Sequence, residues 1–298
     1  MSISGIFPAT TTPFAKDGSV SLSGVKQNIG LYNQTGLAGY VVLGSTGEAV
    51  MLSRDEADSV LIAAKEAATP GKVMIAGTGA ESTAETITRT KRAAALGYEF
   101  ALVKTPYYYK PFYRPETYIH HYRAVADASP IPVLLYSVPI FTGITLDTPE
   151  ILTLAEHPNI VGIKDSSAVI QRVSELVGSA PAGFHLVTGG ASVVYPALVV
   201  GAQGAILALA SALPEKCVEL YDLFRAGQHE RAKELQHQLA LASKRIVSEN
   251  GIAGLKFTME LRGYYGGAPR LPMLPLNEEK KQAISALVAE LHPVAAGV

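Results

Sequence analysis

The chain has one cysteine, Cys217, in 298 residues. That excludes an internal disulfide framework and any cysteine-rich metal site, and it suits a reducing compartment. A Cys nucleophile stays open in principle, but Cys217 follows Pro214-Glu215-Lys216 on a helical pattern, where a packing role is expected. An excess of charge of either sign is also missing. There are 25 Lys+Arg against 26 Asp+Glu, and charged residues make up only 17%. Phosphate-rich partners need a positive excess, so nucleic acid and acidic membrane surfaces are excluded as main partners. Long apolar runs are lacking too. The stretch 176–214 carries no Asp, Glu, Lys or Arg, yet Pro181, Pro196, Gly183, Gly189, Gly190, Gly201 and Gly204 interrupt it. No clean apolar helix of about 20 residues fits there; a buried helix and two buried strands are expected instead. The start, Met1-Ser2-Ile3-Ser4-Gly5-Ile6-Phe7, lacks the pattern of a signal or transit peptide. These absences lead to the expectation of a cytoplasmic protein.

What is present is a globular composition, 48% hydrophobic, long enough for one large domain or two of about 150 residues. Eight short apolar runs recur, at 6–10, 40–43, 73–76, 100–103, 133–136, 160–164, 185–187 and 205–209. They are continuous rather than alternating, as expected when both faces of a parallel sheet are covered. Helix signals fall between them. Leu22, Val25, Ile29 and Tyr32 form an apolar stripe, and Ser53-Arg54-Asp55-Glu56 reads as a capping box. Ser82-Thr83-Ala84-Glu85 reads as a second box, on a helix stopping at Gly97, and Thr148-Pro149-Glu150 as an N-cap before proline. Eight strand–helix units predict an α/β fold, a (β/α)8 TIM barrel. A doubly wound sheet needs a glycine fingerprint after strand one, where this chain has Pro8-Ala9-Thr10-Thr11-Thr12-Pro13. Past residue 226 the pattern is helical only, with stripes at Leu235, Leu239, Ala242 and Ile246 and at Ala283, Leu287 and Leu291. The expectation is a barrel over 1–226 and a C-terminal helical extension over 227–298 that packs on it and helps oligomerise.

In such a barrel the chemistry sits at the C-terminal strand ends. Lys164 directly follows Ile160-Val161-Gly162-Ile163. It is either a strand-end lysine reaching back to water, or a buried amine made nucleophilic by desolvation and able to form an imine. Lys104 poses the same question on strand four. Tyr136, on the strand next to that of Lys164, offers a phenol to shuttle protons. Ser45 and Thr46 lie between Gly44 and Gly47: a plain turn, or a cradle of N–H and hydroxyl groups for a small carboxylate. Tyr107-Tyr108-Tyr109 suits loop cover, an interface or a proton relay. Gly77-Thr78-Gly79 lacks the context of a dinucleotide fingerprint. His120 and His121 diverge by about 100° on a helix and cannot share a metal.

Two segments together resemble the dihydrodipicolinate synthase/N-acetylneuraminate lyase family of pyruvate-dependent, Schiff-base-forming enzymes. They are Gly39-Tyr40-Val41-Val42-Leu43-Gly44-Ser45-Thr46-Gly47-Glu48, and Tyr136-Ser137-Val138-Pro139 with Gly162-Ile163-Lys164-Asp165-Ser166 at the family's spacing. The resemblance covers nearly the whole chain. It implies that Lys164 forms the imine, Tyr136 shuttles protons, and Ser45 and Thr46 bind the pyruvate carboxylate. It further implies that Tyr108 is lent by a neighbouring subunit and that Ser166, Gly189 and Ile206 line the substrate pocket. A homotetramer built as a dimer of dimers is implied, with no metal and no organic cofactor. The implied ligands are pyruvate and an aldehyde or 2-oxo acid. Synthases of the family carry an arginine two residues after the proline of the tyrosine motif, where this chain has Phe141, and asparagine where it has Ser137. Ile119-His120-His121-Tyr122, His157-Pro158-Asn159-Ile160-Val161-Gly162 and Gly263-Tyr264-Tyr265-Gly266-Gly267 look instead like the 4-hydroxy-2-oxoglutarate aldolase branch. The alternatives are a synthase with an unusual carboxylate site, an aldolase for a longer 2-keto-3-deoxy sugar acid, a non-catalytic barrel that binds a 2-oxo acid, and a phosphate-binding barrel enzyme using Gly189-Gly190.

Overall fold

The computed structural model describes residues 3–291; Met1 and Ser2 of the N-terminal reading and residues 292–298 of the expected extension lie outside it. The eight apolar runs become eight parallel strands: β1 Gly5–Pro8, β2 Gly39–Val42, β3 Val73–Gly77, β4 Phe100–Lys104, β5 Val133–Ser137, β6 Ile160–Asp165, β7 His185–Thr188 and β8 Gly204–Leu207. Their order runs β1-β8-β7-β6-β5-β4-β3-β2. The remaining seam is closed between β1 and β2, where Ala9 bridges Val41, Thr10 N–H donates to Val41 O at 2.9 Å and Ala38 N–H to Ile6 O at 2.9 Å. The result is the TIM barrel expected from the strand count.

Both faces of each strand are buried, which is why the strands read as apolar runs. Phe7, Val41, Ile75, Phe100, Leu102, Leu134, Val187 and Ile206 fill the barrel interior. Alternate residues such as Val133, Leu135, Ile163 and Leu186 point outward against the helices. The parity that sends Leu134 inward also sends Tyr136 inward, one layer closer to the mouth.

The helices are α1 Leu22–Tyr32, α2 Arg54–Ala67, α3 Thr83–Ala95, α4 Pro115–Ala128, α5 Pro139–Thr142, α6 Thr148–Ala155, α7 Ile170–Ser179, α8 Val194–Val199, α9 Pro214–Arg225, α10 His229–Ala242, α11 Gly251–Leu261 and α12 Glu278–Leu291. The capping box on α2 is complete: Ser53 Oγ accepts from Glu56 N–H at 3.2 Å, and Glu56 accepts from Ser53 N–H at 2.8 Å. The box on α3 is only half made. Ser82 Oγ accepts from Glu85 N–H, but the Glu85 carboxylate pairs with Arg54 and Arg89, stronger partners than one more amide. At α6 the cap is Asp147, not Thr148; Glu150 accepts its N–H at 2.5 Å, and Thr148 is already helical. On α1, Leu22 stands 39% exposed while Val25, Ile29 and Tyr32 are buried.

The charge-free stretch 176–214 becomes the end of α7, then β7, α8 and β8, with Val194, Ala197 and Leu198 of α8 buried. The C-terminal helices share one core with the barrel flank, uniting Leu235, Leu239, Ile246, Leu255, Met259, Ile284 and Val288 with Ile6, Val42 and Leu207. Each such side chain contributes roughly 1.5–3 kcal/mol by leaving water. The buried face of α12 is centred on Ile284 and Val288, one position on from the stripe read at Ala283, Leu287 and Leu291.

Candidate active site

Tyr136 on β5 is the register partner of Lys164 on β6, and equally of Lys104 on β4. One phenol is thus flanked by two lysines at the same height. Tyr136 is 5% exposed and Lys164 4% exposed. The Lys164 ammonium lies 4.2 Å from the centroid of the Tyr136 ring. Its sequence neighbour does not neutralise it: Asp165 is bound by Arg172 Nε at 2.7 Å and by the hydroxyl and N–H of Ser167. Among the described residues Lys164 has no carboxylate within 4 Å, whereas Lys104 Nζ faces Glu81 at 3.4 Å and lies over the Tyr107 ring. Burial pulls the Lys104 ammonium below the ordinary lysine value, and Glu81 opposes that shift. Lys164 is thus buried at its strand end rather than reaching for water.

The loop after β2 brings Ser45 to the same mouth. Its Oγ is 3.5 Å from the Tyr136 hydroxyl, and Thr46 is buried beside it. Ser45–Gly47 form a single 3-10 turn held by left-handed residues on both sides, Leu43 at φ 61° and Glu48 at φ 54°. Two non-glycine residues in that region mark a backbone that its surroundings impose. Across the mouth, a Cβ at Gly189 would lie 1.9 Å from Ser166 Oγ and 3.2 Å from Lys164 Cε, so only glycine lets the loop after β7 pass so close to the lysine. Ile206 floors the barrel at 0% exposure. A cavity of 40 Å3 beside the mouth is lined by Ser45, Gly79, Arg89, Lys104 and Tyr136, and not by Lys164. Two wider depressions, 770 and 880 Å3, both reach Tyr264 and contain neither Lys164 nor Tyr136.

Lys164, Tyr136, Ser45, Thr46, Ser166 and Gly189 are therefore brought to one end of the barrel, with Ile206 inside it. Tyr108 differs: it is 72% exposed, stacks edge-on against Tyr109, and is not enclosed by this chain's own mouth. Its loop is held from beneath by Glu81, which accepts the N–H groups of Tyr107 and Tyr108 at 2.9 and 2.8 Å. His120 and His121 diverge on α4 as expected, His120 exposed and His121 buried against Thr83. Cys217 is fully buried on α9, the packing role read from its helical pattern. Among the described residues no set of three His, Cys, Asp or Glu side chains is placed to hold a metal, and no helix is long and apolar enough to cross a membrane.

The sequence reading missed Glu48 and Lys256, which pair at 2.7 Å with both side chains at 0% exposure. The available signal was a lone lysine amid Ile252, Leu255, Phe257 and Met259 of α11.

Residues 2–291 match the dihydrodipicolinate synthetase family. A 4-hydroxy-tetrahydrodipicolinate synthase from an Exiguobacterium species is 35% identical over 97% of this chain and 98% of its own length. A probable mitochondrial 4-hydroxy-2-oxoglutarate aldolase of Emericella nidulans is 34% identical over 97% of this chain and 94% of its own. The crystal structure of a chloride-inhibited dihydrodipicolinate synthase from Acinetobacter baumannii, complexed with pyruvate, superposes with a TM-score of 0.93 at 31% identity, covering 98% of this chain and 100% of that one. With a family match across almost the whole length and the same barrel, the chain belongs to the dihydrodipicolinate synthetase family and is a lyase.

Proposed function

We propose that this chain is an imine-forming aldolase that cleaves 4-hydroxy-2-oxoglutarate to pyruvate and glyoxylate. The observation that carries the chemistry is the buried Lys164 amine against the Tyr136 ring, with no acid among the described residues paired to it. Lys164 Nζ adds to the C2 carbonyl as the free amine, and the Tyr136 phenol gives up its proton as water leaves. A protonated imine, the electron sink, thus forms beside a phenolate; the proton returns to Tyr136 when the imine is hydrolysed. Ser45 and Thr46 hold the adjacent carboxylate. Tyr136, as phenolate, takes the C4 hydroxyl proton; the C3–C4 bond breaks, its electron pair enters the enamine, and glyoxylate departs. The Tyr136 phenol returns a proton to C3, and water hydrolyses the imine to free pyruvate and the amine.

Phe141 favours cleavage of this substrate over condensation with aspartate semialdehyde. It occupies the position of the synthase arginine, stands 63% exposed, and a neutral ring cannot grip a carboxylate bidentately. A non-catalytic 2-oxo-acid binder has no use for an amine beside a phenol. The exposed Tyr108 fits a residue completing the site of a neighbouring subunit in a homotetramer.

The test is direct. The enzyme is given 4-hydroxy-2-oxoglutarate and pyruvate release is followed, beside an assay of pyruvate with aspartate semialdehyde. Cleavage with the higher kcat/KM supports the aldolase reading. Efficient condensation without cleavage overturns it in favour of a synthase.

A further inference from the structure

We propose that Lys256 is a positioning residue of the active site, through which the C-terminal helices fix the Ser45-Thr46 loop. The inference rests on the reading of that loop as the carboxylate cradle.

Lys256 lies on α11, far along the chain from the catalytic strands, yet its ammonium is engaged wholly at the back of the loop. It forms an ion pair with Glu48 Oε1 at 2.7 Å and donates hydrogen bonds to Thr12 O at 2.8 Å and Ala268 O at 3.1 Å. Each of the first two contacts leads to the turn Ser45–Gly47. Glu48 is the left-handed residue that ends the turn. Thr12 donates its hydroxyl to Gly47 O at 2.6 Å. The other Glu48 oxygen accepts the N–H of Arg270 at 2.8 Å, and Arg270 in turn forks onto Glu56 of α2 at 2.5 and 2.8 Å. The Phe14 ring touches both cations, its centroid 4.4 Å from Lys256 Nζ and 4.5 Å from Arg270 Cζ.

A pair taken wholly out of water is costly unless its geometry and further hydrogen bonds repay the desolvation. Packing alone would be served as well by apolar residues. The geometry here does something packing cannot: it holds Glu48 at φ 54°, a conformation a free glutamate rarely adopts, and so fixes the direction of the Ser45 and Thr46 hydroxyls. Cradle groups must be held to within a fraction of an ångström, so a loosened loop shows first as weaker carboxylate binding.

The probe is pyruvate with borohydride on the full chain, trapping counted per folded molecule. In Lys256→Met the pyruvate concentration for half-maximal trapping rises at least ten-fold, while the plateau of adduct on Lys164 is retained. A wild-type half-saturation in folded Lys256→Met overturns the proposal, because a merely structural lysine lowers the folded fraction without changing the affinity of what remains folded. Should Lys256→Met fail to fold, Glu48→Gln combined with Lys256→Met removes both charges together and is read by the same two outcomes. Ser45→Ala is the reference. If it leaves the half-saturation unchanged, the cradle reading fails and takes this inference with it. If it raises the value while the Lys256 variants do not, this inference fails alone.

Discussion

Tyr136 and Lys164 face each other across adjacent parallel strands in register, the ammonium 4.2 Å from the ring centroid and both side chains at most 5% exposed. The spacing between them in sequence is arbitrary; the barrel converts it into contact. Removing the phenol while keeping the ring tests the division of labour. Tyr136→Phe preserves the packing against Leu134 and Val138, still forms adduct with pyruvate, and loses roughly 10²–10⁴-fold in turnover, the usual range for one placed proton transfer. Single-turnover trapping beside steady-state kinetics separates the two effects.

Gly189→Ala places a methyl 1.9 Å from Ser166 Oγ and 3.2 Å from Lys164 Cε. Ser166 has to turn away and Lys164 to shift. The imine forms at least ten-fold more slowly, and overpacking costs about 1–3 kcal/mol, a fall of several degrees in Tm. Rapid-quench trapping and thermal unfolding check both; an unchanged trapping rate would mean that the loop yields easily.

His121 carries a pH dependence of stability. Burial, helped by the charge of Lys104 and opposed by Glu81, lowers its folded pKa from 6.5 to about 4. The unfolded chain takes up the proton first as pH falls. Stability is therefore full above pH 6.5 and declines between 6.5 and about 4, by on the order of 3 kcal/mol from this group. Urea unfolding at several pH values follows the decline. In His121→Gln, which can still bond Thr83, that limb flattens.

Cys217 is 0% exposed, and burial, with Glu215 adding, pushes its thiol well above the ordinary value. An aromatic disulfide reagent reacts with it only after unfolding, and Cys217→Ala traps pyruvate as the parent does. Fast labelling of the native chain with loss of trapping would reopen a role for the thiol.

The barrel was legible because local signals and global fold agree. Continuous apolar runs mark strands covered on both faces, and the Ser53–Glu56 box starts α2 where the sequence puts it. Legibility fell where two partners compete for one group. Glu85 abandons its box for Arg54 and Arg89, and Asp147 rather than Thr148 caps α6. Lys164 and Tyr136 were readable as strand-end residues; that both point inward was not, because strands buried on both faces carry no alternation to read. The pair Glu48–Lys256 was not, since nothing in one sequence says that residues 208 positions apart meet; only folding the extension back onto the loop joins them.

The measurement that tests the account most directly is borohydride reduction of the full chain with pyruvate, and separately with 4-hydroxy-2-oxoglutarate, followed by intact mass and peptide mapping. The account predicts one pyruvyl adduct per chain on Lys164 from both compounds, and none in Lys164→Ala. No adduct on folded protein, or an adduct carried by Lys104, would contradict it.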